Sequence, residues 1–171
     1  MAKILLTGLP GCGKTTLIRR LIAQLPDPKG GFYTQEIRQH GVRKGFELIT
    51  LDNQRGVLAN VDIRSPYRIS KYGVDIEALE NIGVEAIKRA LAVQGIVVID
   101  EIGPMEILSP KFCQAVIQAL KSETTVIATI VKRNIPFADR VKVMPEVTLL
   151  EVTPRNREEV FRRLLEKLMS E

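Results

Sequence analysis

Gly8-Leu9-Pro10-Gly11-Cys12-Gly13-Lys14-Thr15-Thr16 fits G-x-x-x-x-G-K-[ST], and its setting constrains the fold more than any other part of the chain. Upstream, KILLT at residues 3–7 reads as a short buried strand. Downstream, Leu17, Ile18, Leu21, Ile22 and Leu25 recur at helical spacing. Glycines let consecutive backbone N–H groups converge on a phosphate without Cβ clashes, and the N-terminal end of the helix adds partial positive charge. All nine residues of the loop are expected to contact a nucleotide. Lys14 would bridge its β- and γ-phosphates, and the Thr15 hydroxyl would ligate Mg²⁺.

Ile96-Val97-Val98-Ile99-Asp100-Glu101 is an apolar run that ends in two carboxylates, as a Walker B strand does. Asp100 is expected to hold Mg²⁺ through its water shell, and Glu101 to orient or deprotonate a water in line with the γ-phosphate. Val97, Val98, Ile99, Ile102 and Gly103 are counted with the nucleotide-binding residues of this segment. Asp100-Glu101-Ile102-Gly103 also spells D-x-x-G, but the N-K-x-D segment that would read guanine is missing, which disfavours a dedicated GTPase.

Strand and helix patterns alternate along the rest of the chain. Pro26-Asp27-Pro28-Lys29-Gly30 reads as a helix stop and turn. Residues 31–51 read as two strands joined at His40-Gly41, an antiparallel hairpin inserted in the α/β pattern. Weak strand signals follow at Val57-Leu58 and over residues 67–69. Asp75 caps a helix that Gly95 ends, another helix spans 111–121, and strands are expected at 96–99, 125–130 and 147–152. Residues 131–145 form a basic loop or short helix. Thr153 and Pro154 open the final helix as N-cap and first helical residue. The alternation predicts an α/β fold, a mostly parallel sheet flanked by helices, with residues 1–171 forming one domain.

Composition narrows the function classes. No uncharged stretch exceeds about ten residues, too short for a membrane helix, and the N-terminus lacks the apolar region of a signal peptide. Two Cys and one His cannot build a four-ligand zinc site. A cytoplasmic monomer is expected. The net charge of +5 favours an anionic partner, but no nucleic-acid motif accompanies it.

A cation on the γ-phosphate oxygens would assist a loose transition state. Arg38 and Arg43 in the hairpin, and Lys132, Arg133 and Arg140 after the strand ending at Ile130, are the candidates. Thr129 is placed to contact the γ-phosphate or the attacking water. Cys12, inside the loop, is expected to be open to thiol modification.

These residues carry a resemblance that spans nearly the full length. The chain resembles the small P-loop nucleoside-triphosphatase family of archaea, bacteria and animals. Besides the phosphate loop, the matching motifs are Gly31-Phe32-Tyr33-Thr34-Gln35-Glu36-Ile37-Arg38 with Gly45-Phe46, Tyr72-Gly73-Val74, Asp100-Glu101-Ile102-Gly103-Pro104-Met105-Glu106, Ala128-Thr129-Ile130 and Thr153-Pro154-Arg155-Asn156-Arg157. The resemblance implies a RecA-like core and slow, Mg²⁺-dependent hydrolysis of ATP, GTP, CTP and UTP to the diphosphate. It places Asn156 and Arg157 near the base. Arg155 stands where the family usually has Glu, and Val131 where Pro is common. Two alternatives compete: a nucleotide, nucleoside or polynucleotide kinase using the same loop, and a nucleotide-gated module that grips nucleic acid.

Overall fold

The computed structural model describes residues 1–171. Its strands are β1 (Lys3–Thr7), β2 (Lys29–Gln39), β3 (Val42–Thr50), β4 (Arg55–Asn60), β5 (Arg68–Ile69), β6 (Tyr72–Val74), β7 (Ile96–Ile102), β8 (Val126–Ile130) and β9 (Thr148–Glu151). The helices are α1 (Lys14–Gln24), α2 (Ile76–Ala78), α3 (Glu85–Ala92), α4 (Pro110–Lys121), α5 (Pro136–Lys142) and α6 (Arg157–Met169), and a π-helical stretch, Leu79–Val84, joins α2 to α3. All nine strands share one sheet, in the order β5-β6-β4-β3-β2-β7-β8-β1-β9. Pairing is parallel from β2 through β9 and antiparallel from β2 out to β5.

Side chains that alternate across the strands build a core on each face. Leu5, Val97, Ile99, Val126 and Ala128 join the cluster covered by the π-helical stretch, α3, α4 and α5. Their immediate neighbours Ile4, Leu6, Val98 and Ile127 join the opposite cluster, covered by α1 and α6. Both faces of the central strands are therefore buried, which is why they read as continuous apolar runs.

Local chemistry fixes the element ends. The Asp75 carboxylate accepts from the Ala78 N–H at 2.9 Å, and Ser109 Oγ accepts from the Phe112 N–H at 3.1 Å with Pro110 next in the chain. Thr153 Oγ1 accepts from the Asn156 N–H at 3.2 Å, while Asn156 Oδ1 accepts from the Thr153 N–H at 2.8 Å. This reciprocal capping box puts the helix-opening chemistry at Thr153, although regular helix begins only at Arg157. His40 and Gly41, with φ of 52° and 76°, make the two-residue turn that a hairpin favours.

One expectation needs correction, and the antiparallel hairpin proves to be more extended than its sequence suggested. Lys29 and Gly30 belong to β2, not to a turn, because they pair with Ile96 and Val97 of β7. The expected antiparallel hairpin is present, and its first arm continues a strand, β2, that starts as a parallel member of the main sheet. The antiparallel wing also continues through β4, β6 and β5.

Gly31, paired with Val98, has φ +111°, and a Cβ there would run into the Val98 carbonyl oxygen. Gly31→Ala is expected to destabilise the fold by about 3 kcal/mol, as forced backbone changes do. A urea unfolding curve with an unshifted midpoint would contradict this β2–β7 register.

Candidate active site

Sheet order decides how the phosphate loop meets the acidic strand. The loop leaves β1 and the two carboxylates end β7, and β8 runs between them. The space above the C-terminal ends of these parallel strands is where α/β sheets take ligands. A cleft of about 580 Å³ opens there, lined by Gly11, Gly13, Lys14, Thr15, Thr16, Asp100 and Glu101 on one side. The opposite side is formed largely by the hairpin.

Lys14 ties the two motifs together. Its Nζ donates to the Gly8 carbonyl at 2.8 Å and lies 3.7 Å from Glu101 Oε2. Asp100 is buried, and its Oδ1 accepts from Thr129 Oγ1 at 2.6 Å. Asp100 Oδ2 is also buried, yet no donor within the protein satisfies it. Burial, reinforced by the charge of Glu101, pushes the Asp100 carboxyl up to about 6, against the Thr129 and Thr15 hydroxyls and Lys14. Burial likewise raises the Glu101 carboxyl, opposed by Lys14 and by the charge of Arg133. Glu106 lies fully within the protein beside this pair. Burial and the charges of Glu101 and Asp100 push its carboxyl well above the ordinary range.

The donor set suits a hard divalent cation. An unpartnered buried carboxylate oxygen beside a threonine hydroxyl fits Mg²⁺, which takes one or two protein ligands and completes its shell with water and phosphate oxygens. No cluster of three or more His, Cys, Asp or Glu offers an all-protein cage.

The sequence matches the family described as NTPase over residues 3–165. The chain belongs to this family. Nucleoside-triphosphatase THEP1 from a Thermotoga species is 46% identical, with 97% of this chain and 95% of that protein covered. The crystal structure of THEP1 from the hyperthermophile Aquifex aeolicus superposes with a TM-score of 0.90 at 32% identity, covering 97% of this chain and 98% of that one. The solution structure of a human cancer-related nucleoside triphosphatase gives 0.82 at 34% identity, covering 99% and 98%. The fold is thus that of the P-loop NTPases, with a mostly parallel sheet between helices.

Several residues of this NTPase sit elsewhere than the sequence suggested. The side chains of Val97, Val98, Ile99 and Ile102 are fully buried in the two cores, so none reaches the cleft; they shape the strand that presents Asp100 and Glu101. Gly103 lies against Glu101, and a Cβ there would strike the Glu101 carboxyl. Thr129 is wholly buried and spends its hydroxyl on Asp100, so it faces neither γ-phosphate nor water. Cys12 is buried beneath the loop, not open to modification, whereas Leu9 and Pro10 are exposed at its tip.

Among the cations, Arg38 lines the cleft but is bound to Glu36 and to the Gly41 carbonyl. Arg43 is held by Glu36 and the Tyr72 hydroxyl, and Lys132 by Glu151 at 2.6 Å. Arg140 lies over Phe137, lining a separate groove between α4 and α5. Arg133 remains exposed on the loop after β8, close enough to act on Glu101. Asn156 is consumed by the capping box and by a 2.9 Å bond to the Glu151 carbonyl. Arg157 reaches over the loop, its guanidinium 3.2 Å from where a Cβ on Gly13 would lie. Arg19, on α1, also lines the cleft, and no motif in the sequence singles it out.

Thr129→Val keeps the shape but leaves Asp100 Oδ1 without its donor. The Mg²⁺ concentration for half-maximal phosphate release is expected to rise by roughly 10- to 100-fold, as when a ligand's supporting hydrogen bond is removed. An unchanged Mg²⁺ titration would place the metal away from Asp100.

Proposed function

We propose that this P-loop enzyme hydrolyses nucleoside triphosphates to the diphosphate and phosphate, with Mg²⁺ and with little selection among ATP, GTP, CTP and UTP. The observation that carries the reading is the meeting of Lys14 with Glu101 at one end of the cleft, 3.7 Å apart. One group is a cation for the phosphates, the other a carboxylate for the nucleophile. The names of the relatives point to the same chemistry.

The loop N–H groups and the start of α1 hold the phosphates, and Lys14 leaves the Gly8 carbonyl and Glu101 to engage the γ-phosphate. Thr15 and Asp100 would hold Mg²⁺, which would supply positive charge to the phosphate oxygens. Glu101, released from Lys14, takes the proton of a water aimed at the γ-phosphorus. Arg133 is the cation best placed to join the outer phosphate oxygens, since Arg38, Arg43 and Lys132 are already paired and Arg140 lines a separate groove. Arg157, lying over Gly13, packs near the nucleoside. Asn156 shapes the turn that carries Arg157, so base-specific hydrogen bonds are few and selection among bases is weak.

Two unpaired cysteines accord with a cytoplasmic location, and we take residues 1–171 to act as one domain and as a monomer. The reading is tested by phosphate release from the four triphosphates with Mg²⁺ and with EDTA. Metal-dependent release at comparable rates from all four is expected. Release in EDTA, or from one base alone, would overturn it.

A further inference from the structure

The pairing of β2 with β7 ends at Phe32 opposite Ile99, yet β2 runs on to Gln39. Its second half therefore stands past the end of the acidic strand and pairs with β3 alone. Thr34, Gln35, Glu36 and Arg38 of this overhang, with Phe46 of β3, form the wall of the cleft that faces the phosphate loop. Glu101 lines the same cleft from the loop side, across from this wall.

This outer half of the cleft is electropositive. Glu36 is its one carboxylate, and Arg38 and Arg43 both bind it, at 2.8 and 3.2 Å. Partial burial lifts the Glu36 carboxyl, but the hydrogen bonds from Arg43 and Arg38 more than reverse this, so it stays ionised and its charge is spent. Arg19 then adds a third guanidinium with no carboxylate or carbonyl partner. It sits four residues after Thr15, one helical turn along the same face of α1, and helical side chains lean back toward the N-terminus. The Tyr33 ring, 5.2 Å from the guanidinium, holds it against the wall without using its N–H donors. Gln35, on the same face of β2 as Tyr33, lines the cleft with its amide likewise uncommitted.

We propose that Arg19, with Gln35, forms a second anion subsite that takes a phosphate group other than those held by the loop. The proposal rests on the triphosphate reading above, because it takes the loop to be the site of the nucleotide. A planar guanidinium fits a phosphate dianion through paired N–H···O bonds. Two molecules carry that chemistry, the phosphate released by hydrolysis and the phosphate of a nucleoside monophosphate, for which Phe46 would offer an aromatic face.

The experiment fills the loop and the γ-position with the non-hydrolysable β,γ-imido analogue of ATP and Mg²⁺. Inorganic phosphate and AMP are then titrated separately by calorimetry. Phosphate is expected to bind this complex, with affinity reduced about tenfold or more in Arg19→Ala and partly restored in Arg19→Lys. The affinity for the analogue itself stays unchanged in both variants. AMP binding more tightly than phosphate would name a second nucleotide as the occupant, and exclusion of AMP would name the product phosphate; either supports the subsite. Phosphate that binds only when the γ-position is empty, or that binds Arg19→Ala as it binds the unaltered protein, would overturn it. Failure of the analogue to bind at all would overturn the loop reading and, with it, the subsite.

Discussion

Lys14→Ala is expected to weaken triphosphate binding and to lower turnover by roughly 10²- to 10³-fold, the size of losing one preorganised donor to developing charge. The magnitude follows from where the ammonium sits. Its side chain is only 12% exposed, so its charge acts through little intervening water. Its resting partners are the Gly8 carbonyl and Glu101, which join the loop to the acidic strand. Removing it also leaves Glu101 facing the phosphates unpaired, adding repulsion to the lost attraction. Calorimetry with the β,γ-imido analogue and single-turnover kinetics check the two effects. Unaltered binding and rate would remove Lys14 from the phosphate site.

Glu101→Gln separates proton abstraction from binding. Gln matches Glu in shape and keeps a hydrogen-bonding oxygen toward Lys14, but it cannot accept the water's proton. Turnover is expected to fall by roughly 10²- to 10⁴-fold while analogue affinity stays within about threefold. A loss of less than threefold in turnover would leave Glu101 as a structural partner of Lys14 alone. Glu106 offers no substitute base, because it is buried within the protein and does not line the cleft.

The loop and the acidic strand were legible in the sequence because each is a contiguous stretch with its own period. The strand over residues 3–7, the helix behind the loop, the Asp75 cap and the His40-Gly41 turn all follow from neighbours in the chain. Groups that act across the sheet were less legible. Thr129 looked like a phosphate contact because it ends a parallel strand, but the order β7-β8-β1 sets it beside Asp100, and that order is a property of three strands distant in sequence. Val97 to Ile99 sat inside a ligand motif, yet a central strand buries both faces. Arg38 and Arg43 looked free until the hairpin register brought Glu36 between them. Arg19 carries no sequence signal of its own, because its place at the cleft depends on β2 running past the end of β7. The π-helical stretch at Leu79–Val84 left no mark in the pattern, since its apolar residues still face one side.

The account centres on water, directed by Glu101, attacking the phosphorus of the γ-phosphate. Single-turnover hydrolysis of ATP in H₂¹⁸O, followed by mass analysis of both products, tests this most directly. One ¹⁸O in the released phosphate and none in ADP is the predicted result, with the labelled phosphate reduced in parallel with turnover in Glu101→Gln. Label in ADP would mean attack at the β-phosphorus. ADP formed without ¹⁸O-labelled phosphate would mean an acceptor other than water, and either result would contradict the account.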